Sequence, residues 1–149
     1  MVGFVMKKIL IFAILSNFFC QLSFSQSMTS INNYISNNSN WLDDPISTAY
    51  VLKRCGAVYI YASALTSNKD QIEAFKKASD KSLLFAHEVL SGEMDSSKAT
   101  DIVFNALDKI IMNYKNDGDA SYAASGEYTT KNYIGEDLQT CKGIVESIS

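Results

Sequence analysis

Apolar residues recur every three or four positions along four stretches of the chain, and no stretch sustains the alternation that marks a strand. The first stretch holds Ile46, Ala49, Tyr50, Leu52, Cys55, Val58, Tyr59, Ala62 and Leu65. Val51, Ile60 and Tyr61 give it a second apolar side, so the helix predicted from Asp43-Asp44-Pro45 to about Thr66 is expected to be the most buried one. Its start follows from the chemistry of a first turn. Carboxylates accept the free amide hydrogens there, and proline occupies a position that needs none.

Ser67-Asn68-Lys69-Asp70 interrupts the pattern and caps a second predicted helix over about 70–90. Ile72, Phe75, Ala78, Leu83, Ala86, Val89 and Leu90 form its inner face, and Gly92 is placed to end it in the left-handed conformation. The third pattern is the cleanest. Ala99, Ile102, Val103, Ala106, Leu107, Ile110, Ile111 and Tyr114 predict one helix over about 97–116, stopped by Gly118. A polar connection follows over 117–130. Ile134, Leu138, Cys141, Val145 and Ile148 then make a single seam on a last helix over about 131–148.

Four helices with short links predict an all-α, up-down-up-down four-helix bundle, in which the first and last helices are antiparallel neighbours. Cys55 lies near the middle of the first helix and Cys141 near the middle of the last, so this topology brings them to the same height. The single helical domain is expected over 43–149, preceded over 26–42 by a flexible arm rich in Ser and Asn, with at most a short helix. Trp41, just before the first helix, is placed to close one end of the bundle.

The start of the chain carries the compartment. Lys7 and Lys8 precede the apolar run Ile9 to Leu15, and Ser23-Phe24-Ser25 supplies small residues at the two positions a signal peptidase reads, which predicts a signal peptide over 1–25. A retained anchor needs about 20 consecutive apolar residues, and Asn17, Gln21 and several serines interrupt this run. Two phenylalanines before Cys20 argue against a lipoprotein. Export to the periplasm or beyond the cell is therefore expected, with no membrane association after cleavage. The two cysteines left after cleavage are expected to pair in such a compartment.

Composition removes several function classes. The formal net charge is −3, and losing the two leader lysines makes it more negative, while Lys53-Arg54 and Lys76-Lys77 are isolated basic pairs. Nucleic-acid binding needs clustered Lys and Arg, so it is not expected. One histidine, His87, leaves too few ligands for a zinc site and one base for any nucleophile, and no serine sits in a Gly-x-Ser-x-Gly turn. Covalent haem attachment has no Cys-x-x-Cys-His, leaving only His87 with Met94 or Met112. Asp117-Gly118-Asp119 suggests a calcium loop, but the loop signature would put Lys115 and Ala124 at ligand positions. Asp43-Asp44, Glu136-Asp137 and Glu93 with Asp95 are further acidic pairs; the first two read as helix-start or solvated-face carboxylates, and none is expected to be catalytic. No cofactor, metal or catalytic residue is assigned.

Arg54 stands out, as the one arginine in a chain with twelve lysines. Its planar fork does what lysine cannot, and beside Cys55 it is placed either to clamp Asp137 or Glu136 of the last helix or to anchor an anionic ligand. Tyr122, Tyr128 and Tyr133 fit no single buried stripe and form a candidate contact patch. The expected function is a non-enzymatic binding or interaction module acting on a protein or a small apolar ligand. The alternatives are a hydrolase whose site is not visible as a motif and a structural subunit of an envelope assembly.

Overall fold

The computed structural model describes residues 28–148, and the expected signal peptide lies outside them. Capping chemistry sets most helix starts. The Asp44 carboxylate accepts from the amides of Ile46 and Ser47, Asn68 does the same for Asp70 and Gln71, Asp95 for Lys98 and Asn132 for Ile134. Six helices result among the described residues, and no strand: α1 (Ile31–Asn37), α2 (Pro45–Ala64), α3 (Lys69–Ser91), α4 (Ser96–Phe104), α5 (Leu107–Ser125) and α6 (Tyr133–Ser147).

Five of these have nine residues or more, so the four-helix bundle expected from periodicity is not the architecture. The difference lies in the third pattern, which is two helices. Two carbonyls near the end of α4, those of Ile102 and Asn105, accept hydrogen bonds from the Lys53 ammonium at 2.9 and 3.1 Å. A cation satisfies the free acceptors of a helix C-terminus. Ala106 then takes φ +60° and starts α5 without a side-chain cap. The corner redirects the chain: α4 packs mainly on α3, whereas α5 packs on α2.

Gly118 does not stop the helix it was expected to stop. It lies inside α5, where a Cβ would overlap the Tyr61 hydroxyl oxygen. Glycine is there for the close approach of α2 and α5. The stop is Gly126, at φ +76°, whose amide bonds the Tyr122 carbonyl. Gly92 does follow α3, but at φ −69° and not in the left-handed region.

The central element is α2, twelve of whose twenty residues are buried, as its two-sided apolar pattern predicts. Residues 30–37, read as part of a flexible arm, here form the cap and helix of α1. The Ser30 hydroxyl accepts from the Asn33 amide, and Ile31 is fully buried. Seven residues are too few for a stable isolated helix, so α1 depends on what it packs against, which is α6. Trp41 is half-buried against the core, and its carbonyl accepts from the Thr48 hydroxyl at 2.6 Å. Cys55 and Cys141 are joined, with Cα atoms 5.3 Å apart. Closing a loop of 86 residues is worth about 4–5 kcal/mol in the chain-entropy description.

Ala106 generates a test. An alanine held in the left-handed region costs about 1–2 kcal/mol, and glycine relieves this while adding somewhat less unfolded-chain entropy. Ala106→Gly is expected to stabilise the protein by about 0.5–1 kcal/mol in urea unfolding, and a destabilised variant would contradict the strained corner.

Candidate functional site

Arg54 precedes Cys55 on α2, and Asp137 lies one turn before Cys141 on α6, so the disulfide that ties these helices also sets the charged pair face to face. Arg54 Nη2 is 2.6 Å from Asp137 Oδ2, with the two side chains 2 % and 0 % exposed. Of the two carboxylates considered for this pairing, it is Asp137 that meets the arginine. Tyr114 of α5 completes a triangle. Arg54 Nε and Nη2 donate to its hydroxyl oxygen at 3.2 and 3.1 Å, and that hydroxyl donates to Asp137 Oδ2 at 2.6 Å.

Two backbone groups ahead of α2 close the cluster. Arg54 Nη1 donates to the Thr29 carbonyl at 2.7 Å, and the Ile31 amide donates to Asp137 Oδ1 at 2.6 Å. Burial pushes the Asp137 carboxyl above the ordinary carboxylate range, against the pull of Arg54, Tyr114 and the Ile31 amide. Burial also works against the Arg54 charge, but Tyr114 and Asp137 more than restore it and the guanidinium stays protonated. The Tyr114 hydroxyl is held well above its usual value by burial and by the neighbouring carboxylate. Every group in the cluster has a partner, and the Arg54, Tyr114 and Asp137 side chains are buried, so its chemistry is to hold α1, α2, α5 and α6 together. Glu136 points elsewhere and binds α1 from outside, accepting from Asn32 Nδ2 at 2.8 Å.

The three tyrosines of the candidate patch are placed in two groups. Tyr122 and Tyr128 stack at 4.4 Å between ring centroids with planes 13° apart, at the end of α5 and in the link after it. Tyr133 sits apart from them on α6. Its hydroxyl donates to Asp117 at 2.6 Å and its ring lies 5.9 Å from that of Tyr114. His87 ties the end of α3 to the start of α4, with Nε2 3.2 Å from the Ser96 hydroxyl and 3.3 Å from its carbonyl. Asp117-Gly118-Asp119 lies within α5, with Asp119 paired to Lys115. Among the described residues no three His, Cys, Asp or Glu side chains gather as a metal site would need.

Two grooves were not anticipated. One, of about 410 Å³, runs between α2, α3 and α6 over Tyr59, Ala74, Phe75, Ala78 and Leu138, with Gln139 and Lys142 as its polar edge. Tyr59 and Phe75 stack along it at 6.0 Å. The other, of about 280 Å³, lies between α3 and α4 beside His87, where Leu84 and Phe104 are 60 % and 54 % exposed. A signal for the second was present in the run Leu83-Leu84-Phe85, since three consecutive apolar residues on a helix cannot all face one neighbour. No helix among the described residues is long and apolar enough to cross a membrane. No protein-family model, curated protein or solved structure matches this chain.

Two measurements test the electrostatics. Removing one partner of a buried ion pair strands the other charge, so Asp137→Asn or Arg54→Met should lower the unfolding free energy by about 3–5 kcal/mol. The double variant Arg54→Met, Asp137→Leu should stay destabilised, because the buried Ile31 amide and Tyr114 hydroxyl then lack partners at about 1–3 kcal/mol each. Arg54→Lys with an unchanged melt would show that the arginine is not a clamp.

The second measurement uses alkaline pH. Burial, with Asp119 and Tyr128 adding to it, pushes the Tyr61 phenol from 10.0 up to about 12, and Tyr114 is also raised. The unfolded chain therefore loses these protons first. The contribution of the neutral Tyr61 phenol is present in full below pH 10, falls above it and is lost as pH passes about 12. Tyr61→Phe should flatten that decline in urea unfolding followed across pH; an equal slope would remove Tyr61 from the account.

Proposed function

We propose that this chain is an exported, non-enzymatic binding module that takes a small, predominantly apolar ligand in the groove between α2, α3 and α6. The observation that carries the reading is the groove itself. At about 410 Å³ it is within the volume range of small-molecule sites, apolar over its floor and polar along one edge. Its walls are well supported. Tyr59 belongs to the central helix and is 6 % exposed, and the disulfide fixes α6, which carries Leu138, against that helix. A rigid frame with an open apolar channel favours binding, because little ordering is needed when a ligand enters.

The export half of the proposal rests on the leader pattern at the start of the sequence and on the disulfide, which persists in oxidising compartments. The charged cluster supports the binding half indirectly. Its groups are consumed in holding the helices, which leaves the outer grooves as the surfaces open to a ligand.

Octanol serves as a probe, having an apolar chain and one uncharged polar head. Titrated into isotope-labelled protein, it should shift the amide resonances of Phe75, Ala78 and Leu138 in a saturable way. Ala74 is exposed at the groove edge, so Ala74→Trp should fill the channel, leave the melting curve in place and weaken octanol binding by about tenfold, 1.4 kcal/mol. Equal binding by this variant would remove the groove from the proposal.

A further inference from the structure

We infer that the cleft receiving residues 28–37 is an interaction surface for a second copy of this chain, reached by exchange of that segment between two molecules. The segment is held as a bound peptide is held. Its Thr29 carbonyl meets Arg54 and its Ile31 amide meets Asp137. Ile31 is fully buried, Asn32 bonds both Glu136 and Thr140, and the Tyr34 hydroxyl donates to Ser47 while its ring lies 4.7 Å from that of Tyr50. All these partners belong to α2 or α6. None lies in the link that joins α1 to α2, so a segment arriving from another molecule finds the same contacts.

The link is the part that must open. Residues 38–44 turn back on themselves through short backbone bonds, Trp41 amide to Asn38 carbonyl at 2.9 Å and Asp43 amide to Asn40 carbonyl at 2.9 Å, and are mostly exposed. Extended, seven residues reach roughly 23–25 Å, enough to carry α1 clear of its own cleft. Withdrawal alone is unfavourable, since it strips the buried Arg54 and Asp137 of two backbone partners. The cleft is refilled on equal terms by a segment of identical chemistry, which a second copy supplies. Reciprocal exchange pairs the two molecules about a twofold axis and closes the assembly at a dimer. Attachment through a short link keeps the molecule's own segment at high effective concentration. The exchanged form therefore gains population with protein concentration and with any shortening of the link.

The test uses the full chain carrying N32C and T140C, because the Asn32 and Thr140 side chains meet at 3.0 Å. Mass-heavy and mass-light preparations are mixed, incubated across a range of concentrations and then oxidised. The linked peptide pair spanning positions 32 and 140 is read by mass spectrometry. A mixed heavy–light pair that grows with concentration is expected, together with covalent dimers on a non-reducing gel. A variant lacking residues 38–40 should give the mixed pair at every concentration. If only unmixed pairs form up to millimolar protein, exchange does not occur. Should the shortened variant fail to fold, the concentration series of the full-length chain decides alone.

Discussion

The buried contact between Arg54 and Asp137 is the constraint around which the rest of the structure is arranged. Two charges removed from water are strongly unfavourable unless their remaining hydrogen-bonding capacity is met. Here that capacity is met by four separate parts of the chain: α2 and α6 bring the charges, α5 brings the Tyr114 hydroxyl, and the segment leading into α1 brings a carbonyl and an amide. The disulfide lies next to Arg54 and one helical turn after Asp137 in sequence, and it fixes their helices at the right height. Crosslink and ion pair therefore reinforce each other. The first sets the distance, and the second fixes which faces meet and which terminal segment covers them.

From that constraint the packing of the outer helices follows. Because α5 must deliver Tyr114 to the centre, it has to lie on α2, and the chain reaches that position from α3 only by turning sharply after α4. Ala106 takes the unfavourable conformation at the turn, and Lys53 gathers the carbonyls left free there. Close contact between α5 and α2 then requires Gly118 opposite Tyr61, whose hydroxyl is the one buried side-chain polar atom without a partner among the described residues. The Tyr61 and Tyr114 rings stack 6.4 Å apart along this contact. Strain at Ala106 and an unbonded hydroxyl on Tyr61 are local losses at the two ends of this contact.

The same arrangement divides the surface of the molecule. The Arg54 and Asp137 charges face inward and are used up, while apolar side chains at the periphery, Phe75 and Leu138 in one groove and Leu84 and Phe104 in the other, line open grooves. Much of the charged cluster was legible before folding. A lone arginine beside a cysteine on the most apolar helix already pointed to a clamp, and Asp137 was one of two carboxylates within reach. Tyr114 was legible only as the last member of an apolar stripe, and the role of Thr29 and Ile31 was not legible at all. Backbone groups carry no sequence label, so a carbonyl that serves as an arginine acceptor looks like any other. The candidate tyrosines divide into two groups for a related reason. Tyr133 begins a helix whose register turns it toward Asp117, while Tyr122, in the last turns of α5, stacks on Tyr128 of the link.

By itself the sequence determined the helical class, the starts of α2, α3 and α4 and the pairing of Cys55 with Cys141. These follow from short-range chemistry, namely caps within a few residues of the amides they satisfy, a repeat of three to four, and two cysteines at matching heights. Only the tertiary structure decided that the third pattern is broken at Ala106, that Gly118 lies inside a helix, and that a Ser- and Asn-rich stretch becomes a packed helix. Each of these depends on an atom far away in the chain: Lys53 for the break, Tyr61 for the glycine, Arg54 and Asp137 for α1. Desolvation and close approach act across space, and no local pattern encodes where they will act.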